Sequence, residues 1–220
     1  MDALKEKPMD IFGEKWIMHE EKIFDNWKQK VTEEDLVLIP GDISWAMRLE
    51  TAKHDLAILD SLPGKKVISK GNHDFWWESV TKMNKLGLQS LYFLNNNAHC
   101  FEGIGVTGSR GWTDKDNEDF DLHDDKIYDR EVGRLRLSLE ALPKEAEFKI
   151  AMIHYPPFKY NGDLNEFGNL MAEYKVDICV YGHLHGEGHQ YVVEGLKSGV
   201  EFICVSSDYI DFDLKFIKEI

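Results

Sequence analysis

Apolar positions follow two patterns along this chain: short unbroken runs, and residues spaced three and four apart. Leu36-Val37-Leu38-Ile39 is a continuous apolar block, which suits a strand covered on both faces. Val67-Ile68-Ser69, Lys149-Ile150-Ala151-Met152-Ile153 and Asp177-Ile178-Cys179-Val180 have the same character. Leu49, Ala52, Leu56 and Leu59 form a helical stripe between the first two, closed by Leu62-Pro63-Gly64. Trp16, Ile23 and Trp27 predict an earlier helix over 14–30, after a stretch through Gly13 that has no period and reads as a loop. Phe75 to Leu86, stopped by Gly87, predicts a third helix. Ile127, Val132, Leu135, Leu139 and Leu142 mark a long helix over 125–142, and Leu164 to Tyr174 a short one. Strand and helix alternate, so a largely parallel sheet with helices packed on it is expected.

Shorter strand-like pieces at 91–94, 98–101 and 104–107 are separated by Asn95-Asn96-Asn97 and Gly103, which predicts hairpin-like pairing. Thr113 to Asp125 is acidic and reads as a solvated loop. From Gln190 onward, strand-like runs alternate with Gly195 and Gly199 and read as antiparallel. No repeat or low-complexity linker divides the chain, so one domain over 1–220 is expected.

Composition narrows the partners. Of 220 residues 43% are apolar, enough for a sizeable core, and acids outnumber bases 40 to 26 for a formal charge of −14. That balance argues against a broad nucleic-acid-binding face and against an anionic-membrane anchor, both of which need clustered Lys and Arg. It leaves room for one phosphate group held through cations. No apolar run approaches membrane-spanning length, and no basic-then-apolar leader opens the chain. Cys100, Cys179 and Cys204 lie in or beside strand-like runs; an odd count of this kind reads as buried free thiols in a reducing cytoplasm.

The chemistry collects where apolar strands end. Asp42 follows Pro40-Gly41, and Asn72, His73 and Asp74 follow Lys70-Gly71. His154 ends the next block and precedes Tyr155-Pro156-Pro157; His183 and His185 lie in Gly182-His183-Leu184-His185-Gly186. In parallel α/β sheets the ligand crevice lies at the carboxyl edge, so these four positions converge if their strands are neighbours. An Asp, an Asn and several His are mixed oxygen and nitrogen ligands of the kind that hold Zn, Mn or Fe. His73 can carry a proton near neutral pH, and Asp74 can fix its tautomer. His183 and His185 alternate in extended sequence, so aiming both inward needs a bend at Gly182 or Gly186. His189 reads as a surface or ligand-supporting residue, and His54, His99 and His123 as solvated or structural. Arg110 reads first as the partner of an acid and second as a phosphate contact. For Trp45, Trp76, Trp77 and Trp112 core packing is the default reading, cleft lining the alternative.

Taken together, Gly41-Asp42, Gly71-Asn72-His73-Asp74, His154 and Gly182-His183-Leu184-His185 make the chain resemble the calcineurin-like metallophosphoesterase family over most of its length. The resemblance implies an α/β fold, a two-sheet β-sandwich flanked by helices in an αββα arrangement, with two divalent ions (Mn, Fe, Zn or Mg) at the strand ends. It implies a phosphoester substrate, phosphatase or phosphodiesterase activity, and attack by a bridging hydroxide. By motif, Asp42 would bridge the ions, Asn72, His154 and His183 would complete one shell, and His185 would serve the other. His73 would stabilise the transferring phosphoryl group and protonate the leaving oxygen, with Asp74 orienting it.

One departure stands out. The family opens with a strand ending in Asp-x-His, and no Asp-x-His occurs before Asp42; Asp2 and Asp10 are lone carboxylates and His19 falls in a helical pattern. The first strand therefore reads as missing. One shell would be complete, the other would keep Asp42 and His185 alone, and the sheet would carry a gap with unpaired backbone. Of three explanations, a late or truncated start is favoured over a one-metal variant and over a relative that only binds. The expectation is a metal-dependent phosphoester hydrolase with impaired turnover, the alternative a non-catalytic metal- or phosphate-binding module. A β-lactamase-like metallohydrolase would need His-x-His-x-Asp-His, which the chain lacks.

Overall fold

The apolar blocks become two sheets, laid face to face over one shared apolar layer. In the computed structural model, which describes Met1, Met9 and residues 13–219, the first sheet joins β1 (Leu36–Ile39), β2 (Lys65–Ile68) and β3 (Leu91–Phe93) in parallel. The second sheet contains β4 (His99–Phe101), β5 (Ile104–Ser109), β6 (Phe148–Ile153), β7 (Ile178–Tyr181), β8 (Gly195–Lys197) and β9 (Val200–Cys204). Its order is β4-β5-β6-β7-β9-β8. There β5, β6, β7 and β9 run parallel, and β4 and β8 close the edges antiparallel. Val67 and Leu94 of one sheet pack against Val106, Ile150, Met152 and Val180 of the other.

Helices cover both outer faces. Trp27 of α1 (His19–Lys30), Leu56 of α2 (Leu49–Asp60) and Met83 of α3 (Val80–Asn84) bury against Ile68 and Phe93. Leu135 of α4 (Leu122–Glu140) and Phe167 of α5 (Glu166–Glu173) bury against Ala151 and Cys204. The four layers match the expected αββα sandwich; β5, β6, β7 and β9 are largely buried because both their faces are covered, whereas β1 is half-buried and β8 mostly exposed. No helix among the described residues is long and apolar enough to cross a membrane.

Four local expectations are corrected. The helix predicted over 14–30 splits: Glu14–Trp16 is a short 3-10 turn, Met18 is left-handed at φ 56°, and α1 begins only at His19. The helix predicted from Phe75 shrinks to five residues, because Asp74 ties down the Trp76 indole and the Trp77 backbone before Ser79 caps α3. Leu91–Phe93 does not join a hairpin; it pairs parallel with β2 in the first sheet, and only β4 and β5 form the antiparallel pair. Cys100 is exposed, whereas Cys179 and Cys204 are buried; all three are free thiols.

Among the described residues β1 pairs only with β2. Its other edge faces a cleft of about 1560 Å³, lined along its length by Leu36, Leu38, Ile150 and Val180. The expected gap in the sheet falls there. Asp42, Asn72, His73, His154, His183 and His185 line the same cleft.

Candidate metal centre

Two loops at neighbouring strand ends approach more closely than any side chain would allow. After β1 the chain turns left-handed at Gly41 (φ +95°) and again at Asp42 (φ 57°). A Cβ on Gly41 would sit 2.5 Å from the Gly71 nitrogen, and one on Gly71 only 2.0 Å from Asp42 Oδ1. Glycine at both positions is what lets the loops touch.

Asp74 then fastens them. Its carboxylate is fully buried and accepts N–H groups from Gly71 at 2.7 Å, Asp42 at 2.8 Å and Ile43 at 3.0 Å. The Trp76 indole donates to it at 3.0 Å, and Ser44 more weakly at 3.4 Å. Burial, then the Asp42 charge, push the Asp74 pKa up, and the N–H donors pull against that. Among the described residues no hydrogen bond joins it to the His73 imidazole, so the expected His73-orienting role is corrected: Asp74 holds the loop backbones. His73 instead packs its ring on Trp45, with centroids 4.6 Å apart, and donates its backbone N–H to Asp42 Oδ1 at 2.8 Å.

The ligand candidates gather beside this clamp. His154 Nε2 lies 2.6 Å from Asn72 Oδ1 and 3.4 Å from Asp42 Oδ2. His183 Nδ1 lies 3.0 Å from the same Asn72 oxygen and 3.2 Å from His154 Nε2. Donor atoms that share one ion at roughly 2.1 Å stand about 3 Å from each other, which is this spacing. His154 Nδ1–H donates to the Pro40 carbonyl at 2.9 Å, so the neutral ring carries its lone pair on Nε2. Burial pushes the His154 pKa down to about 4. Burial, then His154 alongside, push that of His183 down to about 3. Both rings are therefore neutral near pH 7, the form that binds metal. Lone pairs on Nε2 and on the Asn72 oxygen face each other at 2.6 Å. A positive centre among them relieves that repulsion, so the residues fit a divalent cation.

Backbone strain marks the same place. Asp42 and His183 (φ 72°) are both non-glycine residues in the left-handed region, a conformation that persists only where its surroundings enforce it. The bend needed to aim His183 inward is made at His183 itself, with Leu184 N–H closing on the Gly182 carbonyl at 2.9 Å. Tyr155 lies over the His183 ring with centroids 4.1 Å apart.

His185 is not among the gathered atoms. Its Nδ1–H donates to Asp208 at 2.6 Å, and the Trp16 indole meets its ring edge-on at 5.6 Å. Asp208 also accepts Gly186 N–H at 2.9 Å and stands 3.2 Å from His189 Nε2. Burial alone would raise the Asp208 pKa, but the bonds from His185 and Gly186 outweigh it and hold the carboxyl well below the usual carboxylate range. Among the described residues, no three His, Cys, Asp or Glu side chains form a metal cage by themselves. The amide oxygen of Asn72 is the atom that draws the imidazoles together. Asp2 and Asp10 lie outside the described residues.

Asp208 was not singled out by sequence, although the signal existed. It follows the apolar block that becomes β9, at the same sheet edge as His154 and His183. Tyr155, which opens the Pro156-Pro157 segment, is a second residue at the site that the sequence pattern does not mark. Arg110 matches its first reading: it pairs with the buried Glu131 at 3.2 Å and stacks on Trp112.

The family model described as calcineurin-like phosphoesterase matches residues 17–187. No curated protein matches the chain. Among solved structures, a protein of unknown function from Aquifex aeolicus, AQ665, is similar at 16% identity, covering 89% of this chain and 79% of that one, with a TM-score of 0.44.

Proposed function

We propose, for a chain that belongs to the calcineurin-like phosphoesterase family, that it hydrolyses phosphate esters at a cation site built by Asp42, Asn72, His154 and His183. The observation that carries this reading is that Asn72 Oδ1, His183 Nδ1 and Asp42 Oδ2 stand 2.6, 3.2 and 3.4 Å from His154 Nε2, with 3.0 Å between Asn72 Oδ1 and His183 Nδ1. Asp42, Asn72, His154 and His183 would hold a divalent ion, and His185 would serve a second; together they would supply charge for the phosphoryl oxygens and acidify a water. Mn, Fe, Zn and Mg all suit such a mixed set.

The chain's own residues do the rest. Asp42 offers two carboxylate oxygens in a turn that Asp74 keeps rigid. Neutral His154 and His183 give lone pairs without a competing proton. His73, beside Asn72 and against Trp45, is the group that protonates the leaving oxygen or steadies the transferring phosphoryl group. Reorganisation is small because both loops are fixed before substrate arrives.

A second reading has its own observation: among the described residues no three His, Cys, Asp or Glu side chains form a metal cage, and His185 stands apart from the gathered atoms. A module that binds a cation or phosphate without turnover would look the same. Titration with Mn²⁺, together with hydrolysis of a chromogenic phosphodiester and a monoester, separates the two. Cation-dependent turnover that disappears in His154→Ala supports the hydrolase. Cation binding with no turnover of either ester overturns it and leaves the module. The same assay decides whether turnover is impaired, as expected from sequence.

A further inference from the structure

The carboxylate of Asp208 is 4% exposed and lies between residues of a distant segment. Oδ1 accepts His185 Nδ1–H at 2.6 Å, Oδ2 accepts Gly186 N–H at 2.9 Å, and His189 Nε2 stands 3.2 Å from Oδ2. No lysine or arginine pairs with it among the described residues. A buried carboxylate needs such donors, and here one of them is a ring lining the same cleft as Asp42.

We infer that Asp208 is the positioning residue of His185. By taking Nδ1–H it holds the ring in the tautomer whose lone pair is on Nε2, and so makes His185 a ready cation ligand. Trp16 restrains the same ring from its edge. The inference goes beyond the proposed function, resting on it only for the claim that His185 serves a cation. A merely structural Asp208 would anchor the turn at Gly186 and leave the His185 tautomer free.

The test reads the tautomer directly. Heteronuclear NMR of the imidazole nitrogens, on metal-free protein at about pH 8, above the usual histidine range, is expected to report His185 protonated at Nδ1. In Asp208→Ala the ring is expected to shift toward the Nε2–H form that predominates in free imidazole. Mn²⁺ affinity at the His185-dependent step is expected to fall about 10- to 100-fold. The wild-type spectrum is decisive even if Asp208→Ala fails to fold: a His185 protonated at Nε2, or at both nitrogens, overturns the inference. So does a folded Asp208→Ala with an unchanged tautomer. Absence of ester hydrolysis by the wild type would remove the proposed function and leave the tautomer result standing.

Discussion

The Asp42 N–H donates to Asp74 Oδ2 at 2.8 Å, which ties the turn after β1 to the turn after β2. Gly71 N–H donates to the same oxygen at 2.7 Å. In Asp74→Asn an amide nitrogen replaces one carboxylate oxygen and leaves at least two buried N–H groups facing a donor. Each orphaned donor costs about 1–3 kcal/mol. Urea denaturation is expected to show a loss of that order, together with weaker cation binding.

Gly71→Ala tests the close approach. The new Cβ would lie 2.0 Å from Asp42 Oδ1, so the carboxylate must move. Cation affinity is expected to drop at least tenfold by calorimetry. Gly188→Ala makes a suitable control, because its Cβ would meet only ordinary contacts, the nearest at 3.6 Å.

His73→Gln separates chemistry from binding. His73 gives its backbone N–H, not its ring, to Asp42, so the loop survives the change. Turnover of the phosphodiester is expected to fall about 100-fold or more, with cation affinity unaltered. A parallel loss of both would make His73 a ligand instead.

Asn72→Leu removes the oxygen around which the two imidazoles gather. Cation at a hundredfold excess over its Kd stabilises the native protein by about 2.7 kcal/mol. Thermal melts with and without Mn²⁺ are expected to differ for the wild type and to coincide for Asn72→Leu.

Acid should weaken the metal-free fold. An unfolded histidine takes a proton at about pH 6.5, whereas burial delays that to about 4 in His154 and about 3 in His183. Between those values the unfolded chain holds more protons than the native one, so falling pH favours unfolding. The stability from these two rings is full above about pH 6.5 and declines as pH drops toward 4 and then 3. Urea midpoints across that window check the slope, which should flatten in His183→Gln.

Much of this was legible because it depends on short-range pattern. The block at 150–153 is a covered strand, as its pattern requires; the block at 36–39 is a strand too but only half-buried beside the cleft, and both end at candidate ligands. Less local features were not legible. Asp74 follows His73 in the chain, which suggested that the two side chains meet. Its partners came instead from the Gly41 turn more than thirty positions earlier. Phe75 to Leu86 has helical spacing, yet that same carboxylate pins Trp76 and delays the helix.

The sequence by itself determined which residue types end which strands, and hence where oxygen and nitrogen donors collect; the αββα layers followed from the family resemblance that those motifs carry. Only the tertiary structure decided who touches whom there. Periodicity depends on each residue's immediate neighbours, whereas the pairing of Asp208 with His185, or of Asp74 with the Gly41 turn, depends on how parallel strands far apart in sequence lie side by side. A buried carboxylate takes whatever donors that arrangement brings within reach, and no local pattern records them.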